Sequence, residues 1–135
     1  MVRQIHVDTA RQGLQEVTPR IAALVEASGI EEGLCTVFVR HTSASLVIQE
    51  NADRSARSDL ERWIARLVPE GDPFYEHDTE GPDDMPAHIK AALTATSLSI
   101  PIQGKKLALG TWQGIYLWEH RRRGARRELV VHIGP

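Results

Sequence analysis

Between Ser97 and Ile133 the chain carries four short runs suited to strands: Ser97 to Ile102, Lys106 to Thr111, Ile115 to Trp118 and Glu128 to Ile133. Gly104, Gly110, Gly114 and Gly124 punctuate them. Strands this short, without regular alternation with helices, argue for an α+β fold with a mostly antiparallel sheet. The same pattern starts the chain, where residues 3–8 and 13–17 predict an opening hairpin around a glycine-containing turn. Thr18-Pro19 then signals a helix start, with Thr18 as the N-cap and Pro19 in the first helical position. Ile21, Leu24 and Val25 supply its apolar face, and Gly29 ends it.

Gly33 to Arg40 reads as a buried strand leading into His41-Thr42-Ser43-Ala44-Ser45, and Leu46-Val47-Ile48 adds a second apolar piece. From Ala52 to Val68 the spacing predicts an amphipathic helix, with Leu60, Trp63, Ile64 and Leu67 on one face. Arg54, Arg57, Glu61 and Arg62 take the other face, and Pro69 and Gly71 stop the helix. Asp72 to Pro86 has no periodicity, and Ala87 to Leu93 suits a short helix just after Pro86. The expectation is therefore one domain over residues 1–135, a β-sandwich-like core with two main helices.

A chain of 135 residues with 41% apolar content can bury one modest core. Its 16 basic and 18 acidic side chains give a net charge of -2, which excludes a bulk nucleic-acid binder. The one dense basic run, His120 to Arg127, is local: it holds a phosphate, lines a subunit contact, or is a solvated turn. The single Cys35 sits in an apolar run and is expected to be a buried structural thiol. The N-terminus has no signal-peptide pattern, and no apolar run approaches the ~20 residues needed to span a bilayer. A cytoplasmic protein without a membrane partner is the expectation.

His77 to Lys90, HDTEGPDDMPAHIK, is the segment with most chemistry and least to bury. Asp78, Glu80, Asp83 and Asp84 lie between His77 and His88. Imidazole and carboxylate together suit a divalent metal, and three protein ligands with an open position make a catalytic site. The eleven-residue separation prevents one helix face from presenting both histidines, so a loop would have to fold back. The competing reading is a polar loop held by Asx turns and stiffened by Pro82 and Pro86. His41, at a strand end beside Thr42, Ser43 and Ser45, either helps bind an anion or satisfies local backbone groups. In Gly110-Thr111-Trp112-Gln113-Gly114, core packing is the commoner fate of the tryptophan, with a pocket wall as the alternative. No nucleophile elbow, P-loop or dinucleotide fingerprint is present.

Four pieces in order, His41 to Ser45, Gln49 to Asp53, His77 to Lys90 and Leu109 to Glu119, resemble the YjbQ-like family over nearly the whole chain. Members of that family are often described as secondary thiamine-phosphate synthases. The resemblance implies a trimer with a polar, metal-binding cavity near its subunit interfaces. It implies metal ligation by His41, His77 and His88, with a divalent ion, Zn or Mg, as cofactor. It also implies catalytic roles for His41, Asn51, Asp53, Glu80 and Asp84, and substrate contacts from Thr42, Ser43, Thr111, Trp112 and Gln113. The implied substrates are small phosphorylated metabolites: a hydroxymethylpyrimidine diphosphate joined to a thiazole phosphate. A non-catalytic metal- or metabolite-binding oligomer is the alternative. Ala95 departs from the pattern, since relatives usually have glycine there.

Overall fold

The computed structural model describes residues 1–135. It contains β1 (Val2–Asp8), β2 (Arg11–Glu16), α1 (Thr18–Ser28), β3 (Glu32–Val39), β4 (Ala44–Glu50) and α2 (Arg54–Leu67). These are followed by α3 (Asp84–Leu93), β5 (Ser97–Gln103), β6 (Lys106–Leu107), β7 (Gln113–Arg123) and β8 (Arg126–Gly134). The strands form two sheets, ordered β1-β8-β3-β5-β6 and β2-β7-β4, in which every neighbouring pair is antiparallel.

The expected α+β sandwich is present, and period-two alternation builds its core. Cys35, Val37 and Val39 of β3, Leu129, Val131 and Ile133 of β8, and Ile115 and Leu117 of β7 point into the space between the sheets. Ile21 and Val25 of α1 join the same core. Cys35 is fully buried, and burial pushes its thiol up to about 11, as suits a structural cysteine. Residues of opposite parity on β7, Tyr116 and Trp118, pack with Leu14 and with Ile64 of α2 in a second, smaller cluster.

Several local expectations are corrected. The opening strands do not form a hairpin: β1 pairs with β8, and β2 pairs with β7 in the other sheet. Two adjacent strands with a turn between them can equally step from one layer of a sandwich to the other. Thr18 is the first helical residue rather than the cap, which is Val17. Its hydroxyl instead accepts from the Ile115 amide, at 2.8 Å, tying α1 to β7. Gly29 does end α1 in the left-handed conformation.

The strand expected from Lys106 to Thr111 is only two residues long, whereas the one expected at Ile115 to Trp118 runs from Gln113 to Arg123. On α2 only Ile64 is fully buried, and Trp63 and Leu67 are about half exposed. A third helix, α3, begins at Asp84, three residues before the expected start. Pro86 lies within its first turn, where a proline removes no helical hydrogen bond.

The basic run is the β7–β8 corner, where the chain crosses between sheets. At the corner itself the Thr9 carbonyl lies so close to Gly124 that any Cβ would collide with it. Glu119 and Arg127 both point inward and close one end of the sandwich as a buried ion pair. Thr9 donates to the same carboxylate at 2.6 Å. Both charges are thereby satisfied, which burial of an ion pair requires.

Candidate functional site

The early start of α3 sets the site. Asp84 and His88 stand one turn apart on the same helix face, and the preceding loop folds back to deliver His77. His77 Nε2 lies 2.6 Å from Asp84 Oδ2, and His88 Nε2 lies 3.0 Å from the same oxygen. The three potential ligand atoms all fall within 4.8 Å of one another. Glu80 approaches at the rim, 3.7 Å from His77 Nε2.

Asp84 is almost fully buried, whereas His77 and His88 keep 44% and 30% of their side-chain surface exposed. The cluster therefore has a fixed floor and an open side. Burial opposes ionisation of Asp84. The hydrogen bond with His77 and the nearby charges of His88 and Arg121 outweigh it and hold the carboxyl below its ordinary range.

Arg121 of β7 fixes the floor from behind. Its Nη1 donates to Asp84 Oδ1 at 2.7 Å, its Nε donates to Asp83 Oδ2 at 3.0 Å, and its Nη2 donates to the Glu80 carbonyl at 2.9 Å. With Oδ1 occupied by the guanidinium, Oδ2 is left to face the two histidines. Asp83 also accepts from the Arg122 amide. These bonds overcome the cost of burying Asp83 and hold its carboxyl low as well. Gly81, at φ 105, makes the turn beside the Glu80 carbonyl that Arg121 holds.

His88 faces an acceptor at each ring nitrogen. Its Nδ1 lies 3.0 Å from the Thr42 carbonyl oxygen, which can only accept, so Nδ1 carries a hydrogen. Its Nε2 faces an ionised carboxylate oxygen, which also can only accept. A neutral imidazole has a single N–H. The His88–Asp84 contact therefore requires either a second proton or a cation at that position.

His41 is beside this cluster but outside it. Its Nε2 accepts the Glu128 amide at 2.8 Å, which commits that nitrogen to the end of β8. Burial, with Arg127 nearby, pushes its pKa down. His41 does share a hollow of about 350 Å³ with Thr42 and His88. Ser43 lines a second hollow of about 480 Å³ with Asp83, Arg121, Arg122, Arg123 and Arg127. His77 faces a third, of about 330 Å³, with Tyr75, Asp78 and Met85. Ala95 lies on the bridge to Leu46, whose amide donates to its carbonyl at 2.7 Å.

The remaining candidates gather at the far end of β4, about 20 Å away along a seven-residue strand. Asp53 is the N-cap of α2 and accepts from the Ser55 amide at 2.9 Å. Bonds from Ser55 lower the pKa of that carboxyl, although it is fully exposed. The Asn51 side-chain amide donates to the Gln113 carbonyl, and Gln113 Oε1 accepts from the Gly110 amide within its own turn. Trp112 is 63% exposed, so the core-packing expectation for it is corrected: it lies in the turn that leads into β7 and points outward. Thr111 is exposed beside it. Within one chain these residues do not reach the histidines.

Arg121 was absent from the sequence-derived site because its position in a basic run gave no sign of its carboxylate partners. What the fold and cluster define is an α+β sandwich with a two-histidine, one-carboxylate centre on the outer side of its smaller sheet. Residues 3–135 match the family described as UPF0047 protein YjbQ-like, and the chain belongs to it. A UPF0047 protein of Synechocystis is 56% identical over 127 residues, covering 94% of this chain and 86% of that protein. The UPF0047 protein YjbQ of Salmonella typhimurium is 44% identical over 118 residues, covering 87% and 83%. A YjbQ/UPF0047 structure from Clostridium acetobutylicum superposes with a TM-score of 0.89 at 35% identity, covering 98% and 99% of the two chains. A hypothetical protein from Aeropyrum pernix K1 gives 0.90 at 27% identity, covering 99% and 98%.

Proposed function

We propose that the chain is a metal-dependent enzyme acting on a small phosphorylated metabolite, with His77, Asp84 and His88 as the metal ligands. The observation that carries this reading is the His88–Asp84 contact, where a neutral His88 turns an acceptor nitrogen toward a carboxylate and a bound cation would sit between the two. The donor set of two imidazole nitrogens and one carboxylate oxygen suits zinc or a similar transition ion better than magnesium, which prefers oxygen alone. The Thr42 carbonyl fixes the His88 tautomer, and Arg121 fixes the carboxylate, as supporting residues do around metal ligands. His41 is then a neighbour of the centre, sharing the hollow with His88.

Bound there, a divalent ion would act as a Lewis acid toward a phosphoryl oxygen. The family resemblance supplies the candidate reaction, thiamine-phosphate synthesis. The thiazole ring nitrogen forms a bond to the pyrimidine methylene carbon, and the bond from that carbon to the diphosphate oxygen breaks. Pyrophosphate leaves with the electron pair. The arginine-lined hollow beside Ser43 supports this reading, because cationic groups stabilise charge that develops on a leaving diphosphate. Trp112 and its neighbours would reach such a substrate only from another subunit. A homotrimer is part of the proposal, supported by the exposed Trp63, Leu67, Phe74, Leu93 and Trp112.

The test is zinc titration calorimetry beside a coupled assay for thiamine phosphate, on the wild type and His77→Ala. Loss of both metal binding and product supports an enzyme. Loss of metal with no product from either protein supports a non-catalytic metal-binding oligomer.

A further inference from the structure

A cavity of about 250 Å³ lies between β2, α2, α3 and β7. It shares no lining residue with the three hollows around the histidine cluster. Lys90 lines it and is only 5% exposed, yet its ammonium makes neither a hydrogen bond nor an ion pair with any side chain or carbonyl. No fully enclosed side-chain nitrogen or oxygen lacks a partner in this protein. The unpartnered ammonium therefore opens on to accessible space, and this cavity is the space that Lys90 lines.

The two carboxylates of the cavity are already engaged. Glu61 accepts from the Leu14 amide at 2.9 Å and from Arg11 at 3.1 Å. Glu119 is held by Arg127, Thr9 and the Arg121 amide. His120 gives its Nε2 to Ser45 at 2.8 Å. The nearest opposing charge named for it, the Asp83 carboxylate, lies beyond ion-pair distance and is already held by Arg121 and the Arg122 amide. A buried ammonium without a close counter-charge is costly, and an incoming anion removes that cost. The opposite walls, Ile64, Ala65 and Trp118, are apolar. Arg11, the other cation of the lining, is paired with Glu61. A cavity with one unpartnered ammonium and an apolar wall suits an organic acid better than an inorganic ion.

We propose that this cavity is a second ligand site, in which Lys90 pairs with the carboxylate of a small organic acid whose apolar part lies against Ile64 and Trp118. The site is independent of the proposed metal centre.

The experiment is an NMR titration of the zinc-free and zinc-supplemented protein with acetate, butyrate and inorganic phosphate, using sodium chloride as the ionic-strength control. The expected result is a saturable shift of the Gly13, Lys90 and His120 amides with carboxylates. Butyrate should bind about tenfold tighter than acetate, because its two extra methylenes are buried. Lys90→Met should weaken butyrate at least about tenfold, whereas His77→Ala should leave it unchanged. If Lys90→Met does not fold, Lys90→Gln and the wild-type shift pattern carry the same decision. Shifts confined to the Arg121–Arg127 corner, shifts reproduced by chloride, preference for phosphate, or butyrate binding unaffected by loss of Lys90 would each overturn the proposal.

Discussion

The two ends of β4 bear residues of similar chemical promise, and their surroundings differ sharply. At the Ala44 end, His77 and His88 converge on a single Asp84 oxygen, and Arg121 orients that carboxylate from behind. At the Glu50 end, Asn51, Asp53 and Gln113 have their polar atoms occupied by a helix cap and two turns. Residue type alone does not distinguish the two ends. The difference lies in whether polar atoms are satisfied locally or held facing one another by groups distant in sequence.

The largest effect should come from the buried pair that closes the sandwich. Glu119→Gln would leave Arg127 as an uncompensated buried charge and should cost about 3–5 kcal/mol of stability by urea denaturation. If the loss is no greater than for a surface ion pair, the contrast between structural and site carboxylates fails. Next comes the cluster floor. Arg121→Gln should weaken zinc binding by about 10–100-fold in calorimetry, since it frees Asp84 to rotate. Zinc affinity equal to wild type would remove Arg121 from the account.

A more gradual effect concerns pH. His120 is buried, and burial, with Lys90 and Arg127 nearby, pulls its pKa down to about 3. The unfolded chain takes up a proton near pH 6.5 that the folded chain refuses until about pH 3. Stability should therefore fall as pH drops through that window, by up to about 1.4 kcal/mol per pH unit. His120→Gln should flatten the slope measured by denaturant melts at several pH values. An unchanged slope would show that other groups carry it. Smallest is Asp53→Ala at the other end of β4, which should lower the melting temperature by a few degrees through loss of the helix cap. Zinc affinity of that variant should match wild type, and a clear drop would join the two ends into one site.

Much of this was legible in the sequence, because local pattern fixes strands and helices. Cys35, Val37 and Val39 alternate as a buried strand should, and Gly29 stops α1 where its freedom at positive φ requires. The pairing of β1 with β8 was not legible, since it joins residues more than a hundred positions apart and leaves no local trace. The loop with four acids and two histidines pointed to the site. However, the start of α3 at Asp84 decided which carboxylate serves it, and the proline at position 86 obscured that start. His41 drew attention by its strand-end position, but its ring nitrogen is bound to a backbone amide of Glu128, a contact only the folded chain reveals.

The proposed metal centre puts a cation between His77, Asp84 and His88. Crystals grown with zinc and measured on both sides of the zinc absorption edge test it directly. One strong anomalous peak is expected about 2.0–2.2 Å from His77 Nε2, His88 Nε2 and Asp84 Oδ2. An empty cluster at full zinc saturation, or a peak held by other residues while His88 keeps its contact with Asp84, would contradict it.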